Sequence, residues 1–135
     1  MILRTLTEQL SLADQLSLED LAEIVDQGFK TVICNRPDEE GEPHLNSAEA
    51  AQALAAAGIE FHYLPVNGAA ITDLDVAEHK ALLNQAQGPV LTYCRTGTRC
   101  AKLWALGSDA PADELIQQVA NTGLNIEDIR DRLNG

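Results

Sequence analysis

A cysteine and an arginine separated by four residues are the groups in this sequence best suited to covalent chemistry. The run Val90–Tyr93 is aliphatic, β-branched and aromatic, which predicts a short buried strand. Cys94 follows that run, and the apolar run 101–106 just after Arg99 predicts a buried helix. The sequence therefore places a cysteine at the junction of a strand, a loop and a helix.

Such a junction favours a thiolate, because loop N–H groups and a helix N-terminus both attract negative charge. The thiolate is the nucleophilic form of cysteine. Gly97 gives the loop backbone torsions that other residues avoid, and Arg99 can direct two N–H groups at an anion. We expect Cys94 and Arg99 to be catalytic. The expected anion-binding loop consists of Arg95, Thr96, Gly97 and Thr98. The alternative is a buried structural cysteine beside an arginine that ends a turn.

Candidate accessory residues lie elsewhere in the sequence: Arg36, Asp38, Asn67 and Cys100. Arg36 follows a predicted strand and either lines the pocket or pairs with Asp38 or Glu39. Cys100 either packs as a small side chain or acts as a resolving thiol, which would take sulfur from Cys94 or form a disulfide with it. Cys34 is expected to be a buried strand residue.

Length and charge restrict the function. The 135 residues suit one domain, 1–135, and the net charge of −12 argues against a nucleic acid or an anionic membrane as partner. An anionic substrate would need a local positive pocket, for which Arg36, Arg95 and Arg99 are available. No cysteine or histidine spacing matches a metal site, so we expect no metal and no cofactor. With no signal-peptide pattern or long apolar run, we expect a cytoplasmic location.

Strands alternate with helices along the chain. After one or two short strands near the N-terminus, strands are predicted at 29–34, 60–66 and 90–93, and helices begin near Ser17, Ser47, Thr72, Arg99, Pro111 and Asn125. This alternation predicts an α/β fold with a central, mainly parallel sheet flanked by helices. Sites in such sheets form beyond the carboxyl ends of strands. We therefore expect the segments after Cys34, Val66 and Tyr93 to converge.

Nearly the whole chain resembles a small bacterial family, the phosphatase-like domain of beta-lactamase hydrolase-like proteins, also described as sulfurtransferase/phosphatase. The matching segments are Gly28–Ile33, Asn35–Asp38, Leu64–Val66 and Tyr93–Arg99, with an early Leu-Ser-Leu-Ala-Asp-Gln segment. The resemblance implies the fold of dual-specificity phosphatases, with Cys94 as the nucleophile and Arg99 as the anion-binding arginine.

Two departures from the phosphatase pattern favour a different reaction. In the phosphatases that this chain resembles, five residues separate the loop cysteine from the arginine. Only four residues separate Cys94 from Arg99, a spacing similar to that of single-domain rhodanese loops. Related phosphatases also carry an acid in the loop where this chain has Asn67-Gly68. General acid catalysis contributes about 10²–10⁴-fold, so its absence predicts slow phosphate hydrolysis. Acidic residues of the segment 38–40 would substitute if their loop folded over the site.

Three hypotheses follow. The favoured one is a rhodanese-like sulfurtransferase, in which Cys94 takes sulfur from thiosulfate or a persulfide and passes it to a thiol acceptor. The alternative is a protein-tyrosine or dual-specificity-phosphatase-like hydrolase of phosphate monoesters. The third is a non-catalytic anion-binding module, which predicts ordinary reactivity for the Cys94 thiol.

Overall fold

A five-stranded sheet forms the centre of the protein. The computed structural model describes residues 1–134. The strands lie in the order β1-β2-β5-β3-β4; β1 is antiparallel to β2 and the other neighbours are parallel. Their bounds are β1 Leu3–Thr5, β2 Leu10–Ala13, β3 Thr31–Cys34, β4 Glu60–Tyr63 and β5 Val90–Tyr93. The predicted mainly parallel α/β sheet is confirmed.

Helices cover both faces of this sheet. They are α1 Leu21–Asp26, α2 Ser47–Ala56, α3 Asp73–Gln85, α4 Thr98–Leu106 and α5 Ala112–Ala120, with short 3-10 helices at Leu18–Asp20 and Glu127–Arg132. Side chains alternate across the strands, so β5 contributes Leu91 to the core beneath α1 and α2, and Val90 to the core beneath α4 and α5. None of the helices within residues 1–134 is long and apolar enough to cross a bilayer.

Local sequence signals explain most helix starts. The Thr72 hydroxyl accepts a hydrogen bond from the Asp75 N–H, and the Asp75 carboxylate accepts one from the Thr72 N–H, as the predicted capping box requires. Ser17 and Asp20 form the corresponding box before the first 3-10 helix. The helix predicted from Asn125 is instead a 3-10 segment.

The fourth strand is shorter than predicted. β4 ends at Tyr63, whereas the apolar pattern predicts a strand to Val66. Pro65 has no N–H to donate to a ladder, so regular pairing stops there. The chain nevertheless continues beside the end of β3, because the Leu64 N–H donates to the Cys34 carbonyl and the Val66 N–H to the Asn35 carbonyl. The segments after β3, β4 and β5 therefore reach one edge of the sheet together.

Candidate active site

The Cys94 loop has the predicted strand–loop–helix geometry. Cys94 follows β5, its N–H donates to the Ala13 carbonyl, and its side chain is buried. Gly97 has φ 94°, a left-handed conformation that favours glycine, and immediately precedes α4. This turn directs the Gly97 N–H at the Cys94 Sγ, 3.1 Å away. The backbone of the loop thus donates directly to the candidate nucleophile.

Hydrogen bonds lower the pKa of Cys94 from about 9 to about 6. The largest favourable contribution is the side chain of Cys100, followed by backbone N–H groups of Cys100, Thr96 and Gly97; burial acts in the opposite direction. Cys94 is therefore mainly a thiolate at neutral pH, as the sequence predicts. Its ionisation needs no neighbouring histidine base.

The side chain of Cys100 lies within hydrogen-bonding reach of the candidate nucleophile, Cys94. The Cys100 side chain is fully buried, and burial together with the Cys94 charge raises its pKa, so it stays a protonated thiol. The Cys100 Sγ is 3.2 Å from the Asn35 Oδ1, which also accepts a hydrogen bond from Thr92. Cys100 thus has one S–H proton and two candidate acceptors, the Cys94 thiolate and the Asn35 side chain.

The polar contacts continue into the core from Thr92. The Nε2 of His79 lies 3.3 Å from the Thr92 hydroxyl, and this hydroxyl donates to Asn35. Because the Thr92 hydroxyl gives its one proton to Asn35, it can only accept from His79, so the His79 Nε2 carries the proton and donates it to Thr92. Burial lowers the pKa of His79 to about 4, so the ring is neutral. Asn35 was not predicted as a site residue, although it is an amide at the end of a buried strand and opens the matching segment Asn35–Asp38.

Arg99 joins three parts of the site. Its Nη1 donates to the carbonyls of Asn35 and Val66, at 3.1 and 2.9 Å. Its Nη2 donates to the Glu40 carboxylate at 2.7 Å. Gly68 passes so close that a β-carbon there would lie 2.9 Å from the Arg99 Nε. The predicted convergence of the three strand ends is therefore present, and Arg99 connects two of them.

The loop between β3 and α2 folds over the site. Arg36 at its start is buried and pairs with Glu40 and Glu42, not with Asp38 or Glu39 as one interpretation of the sequence held. The reason is the turn at Pro37–Glu40, where the Glu40 N–H donates to the Pro37 carbonyl and brings the later carboxylates back over Arg36.

The other predicted site residues have local partners. The Asp38 carboxylate accepts two hydrogen bonds from Ser47, each 2.7 Å long, at the start of α2. The exposed Asn67 accepts from the Ala69 N–H within its own turn. The Thr96 and Thr98 hydroxyls are hydrogen-bonded to each other at 3.2 Å. Asp38 and Asn67 therefore shape the surrounding loops, and Glu40 is the carboxylate that reaches Arg99.

The fold is that of cysteine-based phosphatases. Pseudomonas aeruginosa TpbA, solved in complex with phosphotyrosine, superposes with a TM-score of 0.71 over 97% of this chain and 80% of its own, at 19% identity. Residues 2–111 match the family model for the phosphatase-like domain of beta-lactamase hydrolase-like protein. The chain belongs to this family, as its sequence motifs predict.

Two relatives are more similar in sequence. A crystal structure of a candidate phosphatase from Neisseria meningitidis has 41% identity and a TM-score of 0.90, covering 98% of this chain and 96% of that one. A beta-lactamase hydrolase-like protein of Agrobacterium fabrum is 34% identical over 102 residues, 76% of this chain and 24% of the relative. The chain thus spans about a quarter of the curated relatives that it matches. These comparisons support the phosphatase alternative and give no support to the favoured sulfur transfer, to thiosulfate or to a thiol acceptor.

Proposed function

We propose that the protein is a cysteine-dependent phosphatase that hydrolyses small phosphate monoesters through a phosphocysteine at Cys94. The observation that carries the proposal is the ionised Cys94, placed among loop N–H groups at the start of the helix that carries Arg99. A phosphoryl group bears its charge on three oxygens, which these donors match. The family and the phosphotyrosine complex of TpbA support a phosphate ester as the substrate class.

The reaction has two displacements. The Cys94 thiolate attacks phosphorus, so an S–P bond forms while the ester P–O bond breaks and its electron pair leaves with the alcohol oxygen. Water then attacks phosphorus, and the S–P bond breaks with its electron pair returning to sulfur, which regenerates the thiolate. The water oxygen leaves as part of inorganic phosphate, and its protons are kept by the phosphate or passed to solvent. Loop N–H groups and Arg99 stabilise the charge on the phosphoryl oxygens in both steps.

Protonation of the leaving oxygen sets the substrate preference. The loop after β4 has Asn67 in place of an acid. The alcohol must therefore depart largely as its anion. Aryl phosphates, whose leaving groups are weakly basic phenolates, are expected to react faster than alkyl phosphates by a factor on the order of 10²–10⁴, the usual contribution of a general acid.

Sulfur transfer remains the second candidate because of the short loop between Cys94 and Arg99. In that reaction the thiolate attacks the outer sulfur of thiosulfate, an S–S bond forms, and sulfite leaves with the electron pair of the broken bond. A thiolate acceptor then attacks the persulfide and regenerates Cys94. Cys100, whose side chain hydrogen-bonds to Cys94, is a candidate internal acceptor once its thiol has lost its proton.

A paired turnover assay separates the two reactions. One arm measures phosphate release from phenyl phosphate and from an alkyl phosphate, and the other measures sulfite release from thiosulfate with cyanide as acceptor. Cys94→Ser and Arg99→Lys are compared with wild type. The control is Arg130→Ala, which removes an exposed arginine that forms ion pairs with Glu127 and Asp113.

We expect faster release from phenyl phosphate than from the alkyl ester, loss of at least 10³-fold in Cys94→Ser, and wild-type rates in Arg130→Ala. Sulfite release that exceeds phosphate release and depends on Cys94 would replace the phosphatase proposal with sulfur transfer. Equal, slow rates in wild type and Cys94→Ser in both arms would refute both reactions.

A further inference from the structure

Two carboxylates of one loop lie among three arginines, two of which, Arg95 and Arg99, belong to the segment that follows Cys94. The Glu40 Oε1 is 2.7 Å from the Arg99 Nη2 and 3.6 Å from the Arg36 Nε. The Glu42 carboxylate is 3.6 Å from the Arg36 Nη2 and 3.1 Å from the Arg95 Nη2. Positive and negative groups therefore alternate, and each carboxylate bridges two guanidinium groups. The five residues of this cluster are Arg36, Arg95, Arg99, Glu40 and Glu42.

Arg36 is the unusual member, because a fully buried guanidinium needs strong partners. Its side chain is 1% exposed. Within the described part of the chain its hydrogen-bond acceptors are the Gln15 side chain at 3.2 Å and the Glu40 carbonyl at 2.8 Å, and its Nε has none. Both carboxylates stand 3.6 Å away, longer than a charge-assisted hydrogen bond. Arg36 therefore retains capacity for an anion with better geometry.

The Glu40 carboxylate occupies a position that the proposed reaction needs. Arg99 uses its Nη1 on two backbone carbonyls, so the edge formed by its Nη2 and its Nε, which has no hydrogen-bond partner among the described residues, is left to hold a phosphoryl group. A carboxylate hydrogen-bonded to this Nη2 repels an incoming phosphate. Glu40 must therefore leave Arg99 when substrate binds. Its departure removes one of the two carboxylates next to the buried Arg36.

A second anionic group on the substrate would compensate Arg36 for this loss. Glu42 is 59% exposed and Arg95 is 54% exposed, so their ion pair can open at small cost. We propose that the substrate carries a second phosphate or carboxylate next to the scissile phosphate, and that Arg36 and Arg95 bind it in place of Glu40 and Glu42. This inference rests on the proposed phosphatase function and specifies its substrate class.

The spacing of the arginines limits the distance between the two anionic groups. The Arg99 Nη2 and the Arg36 Nε lie 2.7 and 3.6 Å from the same oxygen of Glu40. The distance between these two nitrogens therefore cannot exceed the sum of those two distances. Two phosphates that share an oxygen, or a phosphate and a carboxylate on neighbouring atoms, span this distance. Groups separated by a long chain do not.

Binding to Cys94→Ser protein tests the inference without turnover. The probes for isothermal titration calorimetry are inorganic phosphate, pyrophosphate and 2-phosphoglycolate, which distinguish a single anion, a diphosphate and a phosphate–carboxylate pair. A second charge-assisted contact predicts that at least one of the paired anions binds roughly tenfold more tightly than phosphate. Adding Arg95→Ala should remove most of this gain, measured as the ratio of the paired-anion affinity to the phosphate affinity of the same variant.

Two further variants make the result specific. Glu42→Gln removes the competing carboxylate and should tighten binding of the paired anions more than binding of phosphate. Arg130→Ala, which removes another exposed and ion-paired arginine, should leave all three affinities unchanged. Phosphate binding with no gain for either paired anion would overturn the second subsite and leave the phosphatase proposal intact. Failure of all three probes to bind would count against the phosphatase proposal itself.

Discussion

Removing the Cys100 thiol would show how much of the Cys94 ionisation depends on one neighbour. The fall in the Cys94 pKa from about 9 to about 6 corresponds to about 4 kcal/mol in favour of the thiolate. The Cys100 side chain is the largest favourable contributor. A hydrogen bond to a charged group contributes about 1.5–3 kcal/mol, and S–H is a weak donor, so the lower end applies. In Cys100→Ala the pKa of Cys94 should therefore rise to about 7.

The rate of iodoacetamide alkylation against pH measures this pKa directly. Mass spectrometry of the Cys94 peptide reports the modified fraction, so the buried Cys34 and Cys100 do not interfere. At pH 6 the thiolate fraction should fall from about one half in wild type to about one tenth in Cys100→Ala, a fivefold slower reaction. At pH 9 the two proteins should react at similar rates. Cys34→Ala is the matched control, because it also deletes a buried thiol.

An unchanged midpoint in Cys100→Ala would refute this explanation. It would mean that the Cys100 proton is donated to Asn35, 3.2 Å away, and that backbone N–H groups alone stabilise the thiolate. A similar rise of the midpoint in Cys34→Ala would also contradict it, since a general loosening of the core would then account for the effect.

Three other predictions concern residues around the nucleophile. In Gly68→Ala the new methyl group should displace the Arg99 guanidinium and lower kcat/KM for phenyl phosphate by about 10²-fold, while urea denaturation shows little loss of stability; an unchanged rate would contradict the close approach. Gly97→Ala should cost about 1–3 kcal/mol in the same denaturation assay, since φ is 94°, and no cost would argue against this turn. The His79 pKa is lowered, so its contribution to stability is present above pH 6.5 and lost as the pH falls towards 4; from pH 7 to 4.5 wild type should lose about 2–3 kcal/mol more than His79→Leu, and parallel curves would refute a buried neutral ring.

Local sequence was sufficient to predict the strand, loop and helix around Cys94, the candidate nucleophile. The strand Val90–Tyr93, the left-handed Gly97 and the start of α4 all follow from residues within ten positions of Cys94. Short-range signals of this kind specify a turn because each residue restricts its neighbours' torsions. The absence of an acid at Asn67 was equally visible in the sequence.

The partners of the arginines were not predictable in the same way. Glu40 and Glu42 belong to a loop without periodicity, so no pattern indicated which carboxylate would turn towards Arg36 or Arg99. The contact between Asn35 and Cys100 joins positions 65 residues apart and arises only from the pairing of β3 with β5. Sequence thus gave the identity of the charged groups, and tertiary structure determined their pairing.

The two hydrogen bonds from Arg99 to the backbone mean that its substitutions report on two properties at once. The same guanidinium that faces the candidate substrate position also ties the chain after β3 to the chain after β4 through Asn35 and Val66. A variant lacking it forfeits anion binding and a cross-link between loops together. Low turnover in Arg99→Ala would therefore combine the loss of anion binding with a loosening of the two loops that form the walls of the pocket.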